Sequence, residues 1–128
     1  MVNLVLKLAV TVACARCGYS GSRGQLAERQ FQALSVRVAE RTHIDLPRVE
    51  QQALTRVAKY ESGLRVYALN SRTKAYGLMQ FMPKTWATTG IKKTGCPSCQ
   101  IEAGLLYIKW KYKTPSQAFQ AIKRHGRY

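Results

Sequence analysis

The stretch Tyr60-Glu61-Ser62-Gly63-Leu64, followed after a short basic segment by Ala75-Tyr76-Gly77-Leu78-Met79-Gln80-Phe81-Met82-Pro83, sets the reading of this chain. Glu61 closes a helical pattern in which Glu50, Leu54, Val57, Ala58 and Glu61 share one face, and Gly63 supplies a stop. Upstream, Asp45-Leu46-Pro47 supplies a start, with Asp45 as N-cap and Pro47 tolerated in the first turn. The acid lies one turn beyond Val57, on the stripe that faces the core or a cleft. A carboxyl group against apolar walls is desolvated, which disfavours its charged form and raises its pKa. A general acid working near neutral pH needs that shift. An ordinary glutamate in a fraying last turn is the alternative that the helix pattern alone leaves open.

Outward from this stretch the pattern stays helical. Ala27, Phe31, Leu34 and Val38 form one stripe over Gln25 to Arg41. Residues 64–76, with Asn70 and Ser71 among basic residues, read as loop, and Pro83-Lys-Thr-Trp86 opens a short helix. Gly90 to Cys99 reads as loop. Gln100 to Lys113 is a helix with the stripe Ile101, Leu105, Ile108 and Tyr112. Thr114-Pro115 starts a last helix with the apolar face Ala118, Phe119 and Ile122, and Gly126 ends it. The expected fold is mostly α, with the main domain over residues 25–128 and an N-terminal appendage over residues 1–24.

The appendage has two readings. The apolar run over residues 2–15 ends in Ala13-Cys14-Ala15, as a secretory signal would, yet it lacks a basic start and Lys7 interrupts it. Its alternation of Leu4, Leu6, Leu8, Val10 and Val12 equally fits a buried strand. A Gly/Ser-rich connector, Ser20 to Gly24, marks the boundary. No apolar run reaches the roughly 18 residues that a membrane-spanning helix needs.

The 128 residues carry 21 Lys and Arg against six Asp and Glu, a formal charge of +15. A field of that sign gathers polyanions: nucleic acid, anionic membrane, or envelope polymers. No Gly-rich phosphate loop and no nucleic-acid-binding motif points to DNA or RNA.

The residues then carry a resemblance. Glu61-Ser62-Gly63, Asn70, Ala75 to Pro83 and Thr85 resemble the first two motifs of the lytic transglycosylases with a lysozyme-like fold, which read Glu-Ser, a nearby Asn, and Gly-Leu-Met-Gln before a Pro-x-Thr helix. Gly104 through Thr114-Pro-Ser-Gln-Ala118 to His125-Gly-Arg-Tyr128 is similar to the C-terminal part of bacterial and phage members. The resemblance covers about residues 46–128. It implies a lysozyme-like helical domain acting on peptidoglycan glycan strands, in a phage virion-associated or a bacterial wall-degrading protein working at the cell wall or periplasm. The positive field would hold such a protein on anionic envelope polymers, and other virion or envelope-complex proteins stay open as partners. A non-catalytic basic module with the same fold, binding wall polymer or nucleic acid or building a virion, is the alternative. One motif departs from the family. The Ala-Tyr-Asn of many members is replaced by Gln117-Ala-Phe-Gln120, so its role is lost or falls to Gln120, His125 or Tyr128.

For the site, the resemblance implies Glu61 as catalytic residue. Ser62 and Gln80 are expected to hydrogen-bond the sugar, Met79 to line the groove, and Tyr76 to stack on a sugar face, with Asn70 nearby. Glycosidases that flank the bond with two carboxylates need a second acid close by, and none of the other five has an evident place beside Glu61. Glu102 is expected in an exposed first helical turn, complementing the helix dipole. A single carboxylate suits the family's reaction, in which the muramic acid 6-hydroxyl closes to a 1,6-anhydro product without water. No cofactor is expected for catalysis. The cysteines form two pairs, Cys14-x2-Cys17 and Cys96-x2-Cys99. Paired knuckles of this kind present thiolates for structural zinc, although their separation far exceeds the usual roughly 15–20 residues. Disulfides in an oxidising compartment are the equal alternative.

Overall fold

The computed structural model describes residue 17 and residues 24–126. The choice between signal and buried strand for residues 2–15 therefore lies outside the described residues, as do Cys14 and Tyr128. Five helices follow in order: α1 (Glu28–Thr42), α2 (Arg48–Ser62), α3 (Pro83–Thr89), α4 (Pro97–Lys111) and α5 (Pro115–His125). The segment between α2 and α3 is irregular, and among the described residues the only β features are the isolated bridges Gln25–Arg65, Leu69–Tyr76 and Tyr76–Phe81. The domain is mostly α, as its periodicity predicts.

Helix starts depart from the sequence reading for local reasons. α1 begins three residues after Gln25, because Gln25 bridges Arg65 and the Leu26 amide donates to the Leu64 carbonyl at 3.0 Å. The Gln30 side chain then reaches back to accept from the Ala27 amide at 2.9 Å, half of a capping box. α2 is not capped by Asp45. Its N-cap is Pro47, held extended at φ −63° and ψ 164°, whose carbonyl accepts from the Glu50 and Gln51 amides. α4 starts at Pro97 rather than Gln100, since a proline is at ease in a first turn. α5 starts as expected, with the Thr114 hydroxyl accepting from the Gln117 amide at 3.2 Å.

α4 is the central helix. Pro97 to Ile101, Ala103 to Leu105 and Ile108 are all buried, which leaves little of its N-terminal half for solvent and explains the weak amphipathicity of that stretch. α1 packs on it through Phe31, Leu34 and Val38, and α2 and α5 add Leu54, Val57, Ala58, Ala118 and Ile122. Burial of each Leu, Val, Ile or Phe side chain contributes roughly 1.5–3 kcal/mol.

Contacts between elements fix the helix directions. Glu28 at the start of α1 pairs with Lys59 near the end of α2 at 2.7 Å, so these two run antiparallel. Glu50 in the first turn of α2 accepts from both the amide and the hydroxyl of Ser116 at the start of α5, each at 2.8 Å. At the other end, the Tyr60 hydroxyl donates to the Gly126 carbonyl at 3.1 Å. α2 and α5 are thus parallel and clamped at both ends.

Candidate functional site

The α2 stripe delivers Glu61 to the rim of the core. Leu54, Val57 and Ala58 on that stripe are fully buried, and one turn later Glu61 is half-buried. The helix stops immediately after it, where Gly63 takes φ +63° and its amide donates to the Lys59 carbonyl at 2.9 Å. That left-handed turn is what a glycine tolerates and most residues do not. Among the described residues no hydrogen bond or ion pair reaches the Glu61 carboxyl. Burial without such compensation disfavours the carboxylate and pushes the Glu61 pKa up to about 7.

The other five acids are placed elsewhere. Glu50, about 16 Å down the α2 axis at 1.5 Å per residue, is engaged with Ser116. Glu28 pairs with Lys59, two residues from Glu61 and so on another face of the helix. Glu102 does not sit in an exposed first turn. With α4 opening at Pro97 it falls in the second turn, half-buried, and pairs with Arg41 at 2.6 Å. Glu40 and Asp45 are exposed near the junction of α1 and α2, at the far end of α2 from Glu61.

From Gly63 the chain folds into the irregular segment and returns through a tight turn. The Tyr76 and Phe81 backbones exchange hydrogen bonds at 3.0 and 3.3 Å around Gly77-Leu78-Met79-Gln80. Gly77 takes φ +86°, and a Cβ there would lie 2.8 Å from the Gln100 side chain. Gln80 also has positive φ, 51°, and its side-chain amide donates to the Ala68 and Gly77 carbonyls at 2.9 and 3.0 Å. The expected sugar-binding amide therefore has its N–H side engaged in shaping the turn.

Gln100 is a site-building residue that sequence reading passes over. Fully buried, it accepts from the Leu78 amide at 2.8 Å and donates to the Val66 carbonyl at 3.0 Å and the Thr94 carbonyl at 2.9 Å. One side chain on the central helix thereby ties down the segment after Glu61, the Gly-Leu-Met-Gln turn and the loop before α4. Its sequence signal was a lone amide just before the apolar stripe of α4.

The other expected site residues divide. Ser62 is buried and its hydroxyl donates to the Ala58 carbonyl at 3.0 Å, so its proton is engaged within the end of the helix. Met79 is buried against Gly104, where a Cβ would meet its side chain at 2.9 Å. Asn70 is exposed, and its side-chain oxygen accepts from the Arg72 and Thr73 amides at 3.0 and 3.1 Å, building a turn. Tyr76 is half-buried with Lys93 over its ring at 4.6 Å, and burial, then the nearby Tyr67, push its phenol pKa up. Gln120 and His125 are exposed on α5.

For the cysteines, the disulfide alternative applies to Cys17–Cys96, bonded with Cα atoms 5.9 Å apart. Cys99 is disulfide-bonded as well. Sulfurs in this state offer no thiolate, the form a zinc ion requires.

A protein-family model for the transglycosylase SLT domain matches residues 40–123. Searches among curated proteins and among solved structures give no match. The matched span runs from the end of α1 through nearly all of α5 and contains Glu61, the Gly-Leu-Met-Gln turn and Gln100. The chain belongs to the transglycosylase SLT domain family and is a lytic transglycosylase of lysozyme-like helical fold, a glycan lyase of peptidoglycan.

Proposed function

We propose that this enzyme cleaves the bond between MurNAc and GlcNAc with Glu61 acting first as acid and then as base. Protonated Glu61 gives its proton to the glycosidic oxygen as the bond to the MurNAc anomeric carbon breaks, with the sugar's N-acetyl group stabilising the developing positive charge. The resulting Glu61 carboxylate takes the proton of the MurNAc 6-hydroxyl while that oxygen bonds to the anomeric carbon. The acid is regenerated, the sugar ends as the 1,6-anhydro form, and no water is consumed.

The observation that carries this reading is an unpartnered, half-buried carboxyl with its pKa raised to about 7 and no second carboxylate held beside it. An acid so tuned is substantially protonated at neutral pH and still leaves as a competent base. Hydrolysis through two flanking carboxylates would need a partner at roughly 5–9.5 Å, and the acids paired to Ser116, Lys59 and Arg41 are engaged away from the Glu61 face. Catalysis in this scheme uses no cofactor.

The charge of +15 and the disulfide-bonded cysteines suit work at the anionic envelope, outside the reducing cytosol. We place the protein there, as a phage virion-associated or bacterial wall-degrading enzyme. The test is digestion of purified peptidoglycan by wild type and Glu61→Gln, with products read by mass spectrometry. Anhydromuropeptides from wild type alone support the proposal. Reducing-end muropeptides would make the enzyme a muramidase, and equal products from both proteins would remove Glu61 from the chemistry.

A further inference from the structure

The backbone that leaves Glu61 is strained, and what holds it lies outside the span matched by the family. Gly63 and Leu64 are consecutive left-handed residues, at φ +63° and +62°. Glycine adopts that conformation freely, whereas a residue with a Cβ is strained there. Such strain persists only where the surroundings fix it. The Leu64 side chain is buried, so it is anchored in the core while its backbone turns the chain away from α2.

The backbone is fixed by Gly24-Gln25-Leu26. The Leu26 amide donates to the Leu64 carbonyl at 3.0 Å and the Val66 amide donates to the Gly24 carbonyl at 2.8 Å, on either side of the Gln25–Arg65 bridge. The Gln25 side-chain amide donates to the Gly63 carbonyl at 2.6 Å. These contacts reach every residue from Gly63 to Val66, and the buried Leu26 seats them on the core. On the helix side, Arg65 Nε donates to the Ser62 carbonyl at 2.8 Å, next to Glu61. Residues 24–26 precede the matched span of residues 40–123, so this clasp is added to the family domain from upstream. Gln25 is exposed, and water can satisfy the Gly63 carbonyl in its place. Such a bond contributes little stability. What it supplies beyond water is a fixed position for the carbonyl.

We propose that Gln25 is a positioning residue for Glu61: through the Gly63 carbonyl it sets the end of α2 and keeps the carboxyl at the rim of the core. The proposal rests on Glu61 being the acid, and it makes the rate depend on a residue outside the family span.

The test is steady-state kinetics of the full-length protein on soluble peptidoglycan fragments. Gln25→Met keeps the length of the side chain and removes the donor. kcat is expected to fall about fivefold with KM unchanged, because a misplaced acid slows the chemistry and leaves binding intact. A looser helix end also admits water to the carboxyl. Burial is the cause of its raised pKa, while the neighbouring cations are turned elsewhere, Lys59 to Glu28 and Arg65 to Ser62. The limb of kcat/KM that reports Glu61 should therefore move to lower pH. Thr114→Ala is the control: it removes the cap of α5 at the opposite end of α2 and should lower the melting temperature with kcat and the limb unchanged. Circular dichroism checks that both variants fold.

A Gln25→Met protein with lower melting temperature but wild-type kcat and limb would overturn the proposal and leave Gln25 a structural contact. A raised KM with unchanged kcat would overturn it too, by making Gln25 a binding group. Impairment in Glu61→Gln but not in Gln25→Met refutes the positioning role alone. Cleavage by Glu61→Gln equal to that of wild type refutes the catalytic reading, and the positioning role falls with it.

Discussion

The Tyr60 hydroxyl donates to the Gly126 carbonyl at 3.1 Å, which joins the residue before the candidate acid to the residue that terminates the last helix. Gly126 takes φ +70°, and its own amide donates to the Ile122 carbonyl, so the clamp grips an already closed helix end. Tyr60→Phe removes one exposed hydrogen bond and should lower stability by about 0.5–1 kcal/mol. Urea denaturation measures the loss, and faster amide exchange at Gly126 would locate it at the α5 terminus.

Glu61 links activity to pH in one direction and stability in the same one. Its folded pKa of about 7 exceeds the unfolded 4.5, so between those values the native state holds more protons than the unfolded one. Stability from this group therefore falls as pH rises from 4.5 to 7. Glu61→Gln should melt above wild type at pH 8 and level with it at pH 4. Thermal melts at the two pH values check this.

With Glu61 as the proposed general acid, the rate is expected to follow its acid form. kcat/KM should decline as pH rises through about 7, because the general acid is lost. Initial rates of anhydro-product release across pH 5 to 9 would show the limb, and a rate that rises through that range would contradict the assignment.

Gln100 should be the most sensitive polar residue of the core. Gln100→Leu keeps the bulk but leaves the Leu78 amide and the Val66 and Thr94 carbonyls without this partner. The expected cost is about 3–5 kcal/mol. Gly77→Ala should approach it, since a Cβ would press on the same side chain from a backbone with φ +86°. Chemical denaturation of the two variants and of their combination would show sub-additive losses, as residues in contact do.

The Cys17–Cys96 bond spans a sequence separation of 79 residues. In the chain-entropy account, a loop of that length constrains the unfolded state by about 4.5 kcal/mol. Reduction, which also opens the bond of Cys99, should lower the midpoint of denaturation by at least this contribution. Intact mass before and after reduction gives the bond count on the same samples.

Much of the fold was legible because burial here follows the 3.6-residue period. Phe31, Leu34 and Val38, and Leu54, Val57 and Ala58, are buried as their stripes require. Glu61 was legible for the same reason, being the next position on its stripe. The boundaries were less so, since Pro47 and Pro97 displaced the starts of α2 and α4, and no periodicity registers which residue takes the cap. The supporting residues were not legible. Gln100 is recognisable only once Val66, Leu78 and Thr94 converge on it. The resemblance pointed to Ser62 and Gln80 as sugar-binding groups, and no periodicity registers that their hydroxyl and amide hydrogens go to the Ala58, Ala68 and Gly77 carbonyls.

The order in which the ribosome delivers these parts has a consequence. α2 is complete once residue 62 has emerged, yet the Gln100 amide that fixes the following turn, and Ser116 and Gly126 that clamp α2, are translated after it. Domains are synthesised from the N-terminus and settle when their distant contacts arrive. The nascent chain can carry Glu61 without the frame around it, so wall-cutting activity is expected only once the last helix has docked.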